Sequence, residues 1–353
     1  MKFKRYLNSI LRIYSFHFAP NFLRLHSSER DLNFPEKVWI QFKKNINQDS
    51  IKFYPNISNT YKKLEKFYKI NKNFDLILGD GSDRIIKYCF ESFCEKNSEI
   101  ISTSPCFPMY EVYSKLYQTK LLSYKINKPL LEVEKILSKL NKNTSFIILS
   151  NPLSPFGFII DETNLELLAK RANKFGALLV IDEAYIEFST QKSFLQTCMQ
   201  KDIRNVIIIK TFSKAFGSAG IRVGIGMAHK KLIDRMKKFR TMHEISSLSD
   251  AWINTVIDNY KYVKNYILTV KKNKIRIIKE MNNNKNIEVL DSQSNWIFLR
   301  GKNSVLKKKF KSNRIAVKSD IHIPWTNINK SWFKISIPAV EKNLNKLLKT
   351  LLK

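Results

Sequence analysis

The feature of this chain that most constrains its fold is a series of short, uniformly apolar runs. They occupy residues 98–103, 145–150, 177–182, 205–210 and 223–228. Runs of this kind are typical of strands that are covered on both faces. They alternate with helix-like stretches such as 83–95 and 162–175. The alternation predicts an α/β fold with a mainly parallel central sheet and helices on both of its faces.

The pattern changes after about residue 250. A long, lysine-rich and helix-prone segment covers residues 252–283. Three strand-like runs follow it, at 294–300, 315–319 and 333–337. The sequence predicts a closing helix from Glu341. This second pattern indicates a smaller α+β domain at the carboxyl-terminal end of the 353 residues.

Basic residues outnumber acidic ones, with Lys+Arg 62 against Asp+Glu 30 and a formal net charge of +32. An excess of this size suits nucleic acid, an anionic membrane surface or an acidic substrate. The charge is spread evenly, and no module with clustered lysines and interleaved aromatic residues is visible. We therefore interpret much of the excess as a compositional bias and expect no nucleic-acid partner.

The cysteines and the first residues bear on the cellular location. No Cys-x-x-Cys pair and no zinc spacing occurs among Cys89, Cys94, Cys106 and Cys198, so no metal site is expected. The basic start has Arg12 and His17 inside its apolar stretch and no small-residue cleavage site after it, which argues against a signal peptide. No apolar run is long enough for a membrane span. We expect a reduced, cytoplasmic protein without a membrane partner.

Two segments at predicted strand ends carry reactive side chains. The segment TFSKAFGSAGIRVG begins at Thr211 and places Lys214 among hydroxyl and small side chains. Asp182 and Tyr185, in DEAY, follow the run at 177–182. Because α/β proteins bind ligands at the carboxyl edge of the sheet, an amine, a carboxylate and a phenol are expected to meet there. Taken singly, the lysine also fits a solvated loop, and the aspartate fits a helix cap.

Two further segments suit the approach of a ligand to the backbone. The segment GDGSD at 79–83 leads directly into the predicted helix 83–95. Backbone N–H groups at a helix start, with glycine allowing close approach, form a seat for an anion or a phosphate. The segment SNPLSPFG at 150–157 combines two prolines with a glycine and predicts an unusual turn. Each segment by itself also fits ordinary chain reversal.

Taken together, the order and spacing of the four segments resemble those of the fold-type I enzymes that use pyridoxal 5'-phosphate (PLP). Within them, the chain is most similar to the histidinol-phosphate aminotransferase branch of the class I and II aminotransferases. The resemblance covers roughly residues 23–350. It implies an amino-terminal arm (1–40) that packs on the small domain, a large PLP-binding domain (41–250) and a small carboxyl-terminal domain (251–353).

The resemblance implies a role for each matching residue. Lys214 is expected to form the Schiff base with the cofactor, and Asp182 to face the pyridine nitrogen. Tyr185 is expected to hydrogen-bond the ring hydroxyl, and Phe107 in SPCFPMY to stack on the ring. The expected phosphate ligands are Gly81, Ser82, Asp83, Thr211, Ser213 and Arg222. The residue types fit, because this chemistry needs an amine, a carboxylate that keeps the ring nitrogen protonated, and a cationic seat for phosphate.

A further match concerns assembly. Tyr54, in FYPN, corresponds to a tyrosine that reaches the cofactor phosphate of the neighbouring subunit in the family. The resemblance therefore implies a homodimer with shared active sites.

Several positions depart from the family pattern. Ser154 stands where the family has an asparagine, and Lys334 and Lys318 stand where it has arginines. Arg30 lies in Ser-Glu-Arg, where the family has Asn-Glu-Asn. Because lysine binds an anion without the bidentate fork of arginine, we expect Lys334, helped by Arg30, to meet an anionic end of an altered substrate. The lysine bias of the chain and a shifted alignment remain alternative explanations.

The resemblance leaves two reactions open. The first is PLP-dependent transamination between an amino donor and a keto or aldehyde acceptor, with anionic or phosphorylated acceptors included. The second is decarboxylation, as in the threonine-phosphate decarboxylases that share these motifs. The sequence does not separate them, because the reaction depends on which bond at Cα lies perpendicular to the cofactor ring.

Overall fold

The structure of the chain is a computed structural model that describes residues 5–10, 21–326 and 331–352. Arg12 and His17, on which the argument about the amino-terminal segment depends, lie outside these residues. All four cysteines are free. Across the described ranges, no helix has both the length and the apolar character that crossing a membrane requires.

The strands of the described residues are short and regularly spaced. In chain order they are β1 (Leu23–Arg24), β2 (Phe74–Gly79), β3 (Glu99–Ser104), β4 (Lys120–Lys125), β5 (Thr144–Ser150), β6 (Leu178–Asp182), β7 (Val206–Thr211), β8 (Gly224–His229), β9 (Glu288–Leu290), β10 (Trp296–Arg300), β11 (Ile315–Ala316), β12 (Lys318–Ile321) and β13 (Trp332–Ser336).

The helices fill the intervals between the strands. In chain order they are α1 (Glu36–Lys44), α2 (Asp49–Lys52), α3 (Ser58–Tyr68), α4 (Ser82–Phe93), α5 (Pro108–Leu116), α6 (Val133–Leu137), α7 (Glu162–Lys174), α8 (Leu195–Gln200), α9 (Lys230–Met236), α10 (Ser247–Asp258), α11 (Tyr260–Asn282), α12 (Asn303–Ser312) and α13 (Glu341–Leu352).

Seven strands form the central sheet in the order β2-β8-β7-β6-β5-β3-β4. Neighbouring strands are parallel except at β8, which is antiparallel to both β2 and β7. Successive residues of β6 enter different cores: Val180 packs with α4 and α5, whereas Leu179 and Ile181 pack with α7. The sheet is therefore covered on both faces, which confirms the predicted mainly parallel α/β architecture.

The carboxyl ends of several strands meet at one edge of this sheet. Gly79 at the end of β2 and Thr211 at the end of β7 both lie opposite Gly224 at the start of β8. Asp182 ends β6 and lies beside Ser150, which ends β5. The polar segments of the sequence follow these strand ends, so the fold gathers them in one place.

A second, antiparallel sheet lies in the carboxyl-terminal part, in the order β12-β13-β10-β9. The amino-terminal segment packs against this part, because β1 pairs with β11 and the Leu25 carbonyl accepts a hydrogen bond from the Ser336 N–H (2.9 Å). The Asp31 carboxylate accepts hydrogen bonds from the N–H groups of Ala339 (2.8 Å) and Val340 just before α13. The domain boundaries at residues 40 and 250 stay a prediction.

Two parts of the fold differ from the sequence interpretation. The helix-prone segment at 252–283 belongs to two helices, α10 and α11, because the chain turns at Asn259, whose φ of −106° and ψ of 25° are not helical. The strands β2 and β4 were not predicted. β4 is an edge strand with mostly accessible side chains, so it lacks the uniformly apolar pattern of its neighbours.

Candidate active site

A cavity of about 440 Å³ opens at the carboxyl edge of the central sheet, and we call it the strand-end cavity. Its walls come from the loops after β3, β5, β6 and β7 and from the start of α4. The predicted residues that line it are Ser82, Asp83, Phe107, Ser154, Asp182, Tyr185, Thr211, Ser213, Lys214 and Arg222. The fold thus brings together side chains that are far apart in the sequence.

Asp182 is the buried carboxylate of the strand-end cavity, with 6% of its surface exposed. Its Oδ1 accepts a hydrogen bond from the Ala184 N–H (3.1 Å), and its Oδ2 accepts one from the Tyr110 hydroxyl (3.2 Å). Burial raises the pKa of Asp182 to about 6, and the two hydrogen bonds oppose this rise. The group is therefore poised to become an anion when a cation lies beside it.

Lys214 supplies the amine of the strand-end cavity. It lies in the loop after β7, and its Nζ donates a hydrogen bond to the Ser27 carbonyl (2.8 Å). The same Nζ lies 5.5 Å from the centroid of the Tyr185 ring. The Tyr185 ring in turn packs edge-on against Trp296, with centroids 4.6 Å apart. The lysine is thus held between the arm and an aromatic wall.

The start of α4 and the Arg222 guanidinium form an anion cradle. Gly81 precedes α4 with a φ of 102°, and a Cβ at Gly81 would overlap the guanidinium of Arg222. Arg222 Nη1 donates hydrogen bonds to Ser213 Oγ (3.3 Å) and to the Ala219 carbonyl (3.1 Å). Thr211 Oγ1 accepts a hydrogen bond from the Ser213 N–H (3.1 Å). A helix start, a cation and two hydroxyls converge here, a donor set that suits a phosphate.

Two loops close the sides of the strand-end cavity. Phe107 caps the start of α5 directly after β3, and its ring packs edge-on against Tyr110, with centroids 5.7 Å apart. Ser154 lies in the loop after β5, where its N–H donates to Ser150 Oγ (2.7 Å). The first loop presents an aromatic ring to the cavity, and the second presents a hydroxyl.

Lys334 does not line the strand-end cavity but lies close enough to Lys214 for their charges to interact. Its Nζ is 3.4 Å from the centroid of the Trp296 ring. Within the described residues, no carboxylate forms an ion pair with Lys334 or with Lys318, its neighbour across β12 and β13. Burial holds the pKa of Lys334 well below its ordinary value, and the charges of Lys318 and Lys214 add to this effect. The charged form of this amine is therefore disfavoured unless an anion lies beside it.

Arg30 lies in a neighbouring cavity of about 730 Å³, not in the strand-end cavity. Its guanidinium carbon lies 4.1 Å from the centroid of Phe34 and 4.5 Å from that of Tyr266. Its Nε donates to the Leu32 carbonyl (2.6 Å), and burial lowers its pKa to about 10. The structure therefore does not bring Arg30 to the place where we expected it to help bind substrate, because two aromatic rings hold it elsewhere.

Tyr54 also lies away from the strand-end cavity of its own chain. Its side chain is 81% exposed, and its ring stacks on His243 with centroids 4.0 Å apart. It lines a separate surface cavity that also includes Asp80 and Arg84.

Two contributors to the site were not predicted from the sequence. Tyr110 follows Phe107 by one helical turn, a spacing that signals a shared face of α5. Ser27 contributes only its backbone carbonyl, for which the sequence holds no signal.

The chain is similar to known proteins over most of its length. The model of the family described as aminotransferase class I and II matches residues 20–351. The histidinol-phosphate aminotransferase of Methanocaldococcus jannaschii is 31% identical over 265 residues, covering 74% of this chain and 70% of that protein.

Two solved structures are similar in fold. That of the histidinol-phosphate aminotransferase from Sinorhizobium meliloti in complex with pyridoxal-5'-phosphate has a TM-score of 0.83 and 18% identity, covering 99% of this chain and 96% of that one. That of the L-threonine-O-3-phosphate decarboxylase from Porphyromonas gingivalis has a TM-score of 0.76 and 19% identity, covering 94% of this chain and 98% of that one. Since the family model matches almost the whole chain, this protein belongs to the class I and II aminotransferases, which have the fold of the type I PLP enzymes.

Proposed function

We propose that this aminotransferase passes an amino group between an amino donor and a keto or aldehyde acceptor that carries an anionic end. Its cofactor is PLP, in keeping with its family. The observation that carries the proposal is the convergence of the Asp182 carboxylate, the Lys214 amine and the Arg222 guanidinium on one cavity of about 440 Å³.

The residues of the strand-end cavity fit the cofactor at each of its functional groups. The anion cradle of Gly81, Ser82, Ser213 and Arg222 suits the dianionic phosphate, and no space for a Cβ remains at Gly81. Asp83 and Thr211 also line the strand-end cavity. The negative charge of the phosphate would meet both a guanidinium and the positive end of the α4 dipole.

The remaining groups suit the cofactor ring. Asp182 provides a carboxylate for the ring nitrogen, and Phe107 provides an aromatic surface for the ring. Tyr185 and Ser154 provide hydroxyls for the ring hydroxyl. Each of these residues lines the strand-end cavity, which supports the roles that we assign to them.

When bound, the cofactor supplies a carbonyl carbon that accepts an amino group and a ring that withdraws electrons from the substrate. Asp182 would hold a proton on the ring nitrogen, because a buried carboxylate anion stabilises a cation placed beside it. With the cofactor bound, Lys214 Nζ would be the group that accepts and donates the proton moved during amino transfer. Its present hydrogen bond to the Ser27 carbonyl shows that the amine can be held at this place by the backbone. Tyr185 and Trp296 keep the amine in a partly apolar setting.

We assign the anionic end of the substrate to Lys334. Its Nζ lies beside the Trp296 ring, and repulsion from the charges of Lys318 and Lys214 helps to lower its pKa. The amines of Lys214, Lys318 and Lys334 therefore lie close together, and neither Lys318 nor Lys334 has a carboxylate partner among the described residues. An anion bound beside them would relieve their mutual repulsion. A lysine does not demand a planar partner, so a phosphate or phosphonate fits as well as a carboxylate.

The relatives support a phosphorylated substrate, because they are named for histidinol phosphate. The resemblance places two segments at the substrate pocket, and both depart from the family pattern: residues 28–30 are Ser-Glu-Arg in place of Asn-Glu-Asn, and residues 242–246 read MHEIS in place of a Pro-Tyr-Asn loop. We therefore propose that the substrate of this chain carries a side chain other than the imidazole of histidinol phosphate.

We also propose a homodimer in which Tyr54 reaches the phosphate site of the other subunit. Several exposed apolar side chains support a covered surface near Tyr54, namely Ile51 (72% exposed), Phe53 (64%) and Met242 (89%). A cluster of this kind is typical of a protein–protein interface.

Decarboxylation has no specific observation in its favour. The likeness to the threonine-phosphate decarboxylase concerns the fold, whereas the family model and the relatives describe aminotransferases.

The test of the proposed function is a screen of amino donors against the purified, PLP-loaded protein. We expect at least one donor with an anionic side chain to change the cofactor absorbance, and a keto acceptor to restore it. Lys214→Ala should abolish the cycle, whereas Lys201→Ala, which removes a surface lysine paired with Glu166, should leave it intact. Release of carbon dioxide without amino transfer would contradict the proposal.

A further inference from the structure

We infer that Tyr110 is a positioning residue of the active site, whose hydroxyl fixes the Asp182 carboxylate while its ring braces Phe107. One side chain thereby sets the two groups that face the cofactor ring from different directions. The inference rests on the proposed roles of Asp182 and Phe107, and it adds the residue that connects them.

The geometry at the start of α5 supports this role. The Tyr110 side chain is 1% exposed, and its hydroxyl donates a hydrogen bond to Asp182 Oδ2 (3.2 Å). Its ring meets the Phe107 ring edge-on, with an interplanar angle of 78°. The backbone N–H of Tyr110 donates to the Phe107 carbonyl (3.0 Å), so a single helical turn holds both residues. A shift of this turn would move the ring surface and the carboxylate partner together.

The hydrogen bonds of Asp182 show what Tyr110 contributes. The Ala184 N–H holds Oδ1, and the Tyr110 hydroxyl holds Oδ2. With one donor on each oxygen, the carboxylate cannot rotate without losing a hydrogen bond in a buried place, where such a loss is costly. The lone pairs that remain on the carboxylate are then aimed in fixed directions, which a ring nitrogen needs in a partner.

The direction of the hydrogen bond is fixed as well. Burial, together with the nearby Asp182 charge, raises the pKa of Tyr110 well above its ordinary value, so the phenol keeps its proton. It therefore acts as a donor to Asp182 and favours the anionic form of that carboxylate. This effect opposes the burial of Asp182, which favours the neutral form.

The test compares Tyr110→Phe with Tyr117→Phe in the PLP-loaded enzyme. Tyr117 is a matched control, because its hydroxyl also donates to a carboxylate, Glu91 Oε1 (2.8 Å), away from the strand-end cavity. We expect Tyr110→Phe to lower kcat roughly tenfold and to move the acid limb of the kcat–pH profile to higher pH, since Asp182 loses a donor to its anion. Tyr117→Phe should change neither. An unchanged kcat and pH profile in Tyr110→Phe would overturn the inference, even if its thermal stability falls.

A double-mutant comparison separates this inference from the proposed function. If Tyr110 acts through Asp182, Tyr110→Phe should lower kcat in the wild-type background and have no further effect on kcat in Asp182→Asn. Equal effects in both backgrounds would refute the inference alone. Near wild-type turnover in Asp182→Asn would instead refute the role of Asp182 in the proposed function.

If Tyr110→Phe does not fold, Tyr110→3-fluorotyrosine replaces it, because this change keeps the shape of the side chain and makes the phenol a stronger donor. The acid limb should then move to lower pH. An unmoved limb would overturn the inference.

Discussion

At the scale of single residues, Asp182 combines two opposing influences. Burial disfavours its charge and raises its pKa to about 6, while two hydrogen bonds favour the anion. Without a cation beside it, the carboxylate is protonated more readily than an exposed aspartate. A cation placed beside it stabilises the anionic form. Two predictions follow from this balance.

Asp182→Asn should keep PLP bound but lower kcat by about 10²–10³-fold, the size of effect seen when one preorganised electrostatic partner is removed. The anion cradle is unchanged in this variant, so the cofactor still has its phosphate contacts. The measurements are cofactor absorbance after gel filtration and steady-state turnover. A variant with near wild-type kcat would show that Asp182 does not activate the ring.

The affinity of the cofactor-free protein for PLP should fall as the pH decreases through about 6. The pKa of Asp182 is raised, so the carboxyl group is anionic above that pH and neutral below it, where it no longer attracts a protonated ring nitrogen. The PLP phosphate also titrates, and Asp182→Asn serves as the control. The ratio of wild-type to variant affinity should decrease with falling pH, and a constant ratio would contradict the prediction.

Lys334→Ala should raise the KM for the amino donor about tenfold to a hundredfold, which corresponds to the loss of a charged hydrogen bond of ~1.5–3 kcal/mol. PLP binding should not change, because Lys334 is not among the residues lining the strand-end cavity, to which we assign the cofactor contacts. Lys334→Arg should favour donors with a planar carboxylate over those with a phosphate. An unchanged KM in Lys334→Ala would place the anion site elsewhere.

At the scale of elements, the start of α4 shows how sequence sets a binding site. Gly81 has a φ of 102° and Gly224 leaves no room for a Cβ beside the Ser82 N–H, so β8, Arg222 and the helix start can approach closely. A Cβ would clash at both glycines, and Gly81 is needed for its positive φ as well.

Gly81→Ala should weaken PLP binding by on the order of tenfold or more, since its Cβ displaces the Arg222 guanidinium and strains the turn. Gly176→Ala is the matched control, because Gly176 also has a positive φ (71°) but has open space around its Cβ position. Both variants should lose some thermal stability. Equal PLP affinity in the two variants would show that the cradle does not bind the phosphate.

The sequence predicted those elements whose pattern is local. The strands β3, β5, β6, β7 and β8 are uniformly apolar because helices cover both faces, and each was recognised from its composition. The edge strand β4 lacks that pattern. The contacts of Lys214 with Ser27 and of Asp182 with Tyr110 join residues that are distant in sequence, so no spacing rule finds them. Arg30 was predicted to help bind the substrate but lies in the neighbouring cavity. Tertiary packing holds it there against Phe34 and Tyr266, which the sequence does not reveal.

At the scale of the whole molecule, the two relevant features are the net charge and the proposed assembly of two subunits. A net charge of +32 is distributed over the chain, and a cytoplasmic location stays a prediction. The proposed dimer can be tested by mixing inactive variants. Tyr54 is exposed on its own chain and is expected to reach the phosphate site of the other subunit.

Mixing inactive Tyr54→Ala and Lys214→Ala protomers should restore about a quarter of the wild-type activity if subunits exchange at random in a two-fold dimer. Each mixed dimer then holds one site with both intact residues. Mixing Lys214→Ala with itself is the control. A fully active monomer in sedimentation analysis would contradict shared sites.

The most direct test of the proposed active site is the identity of the lysine that binds the cofactor. Reduction of the PLP-loaded protein with borohydride, followed by peptide mapping, should place the cofactor on Lys214 alone. Lys210 is the informative comparison, because it is buried close by in ion pairs with Glu183 (3.2 Å) and Glu187 (2.8 Å) and should remain unlabelled. Label on Lys210, on Lys334 or on any other lysine would contradict the proposed active site.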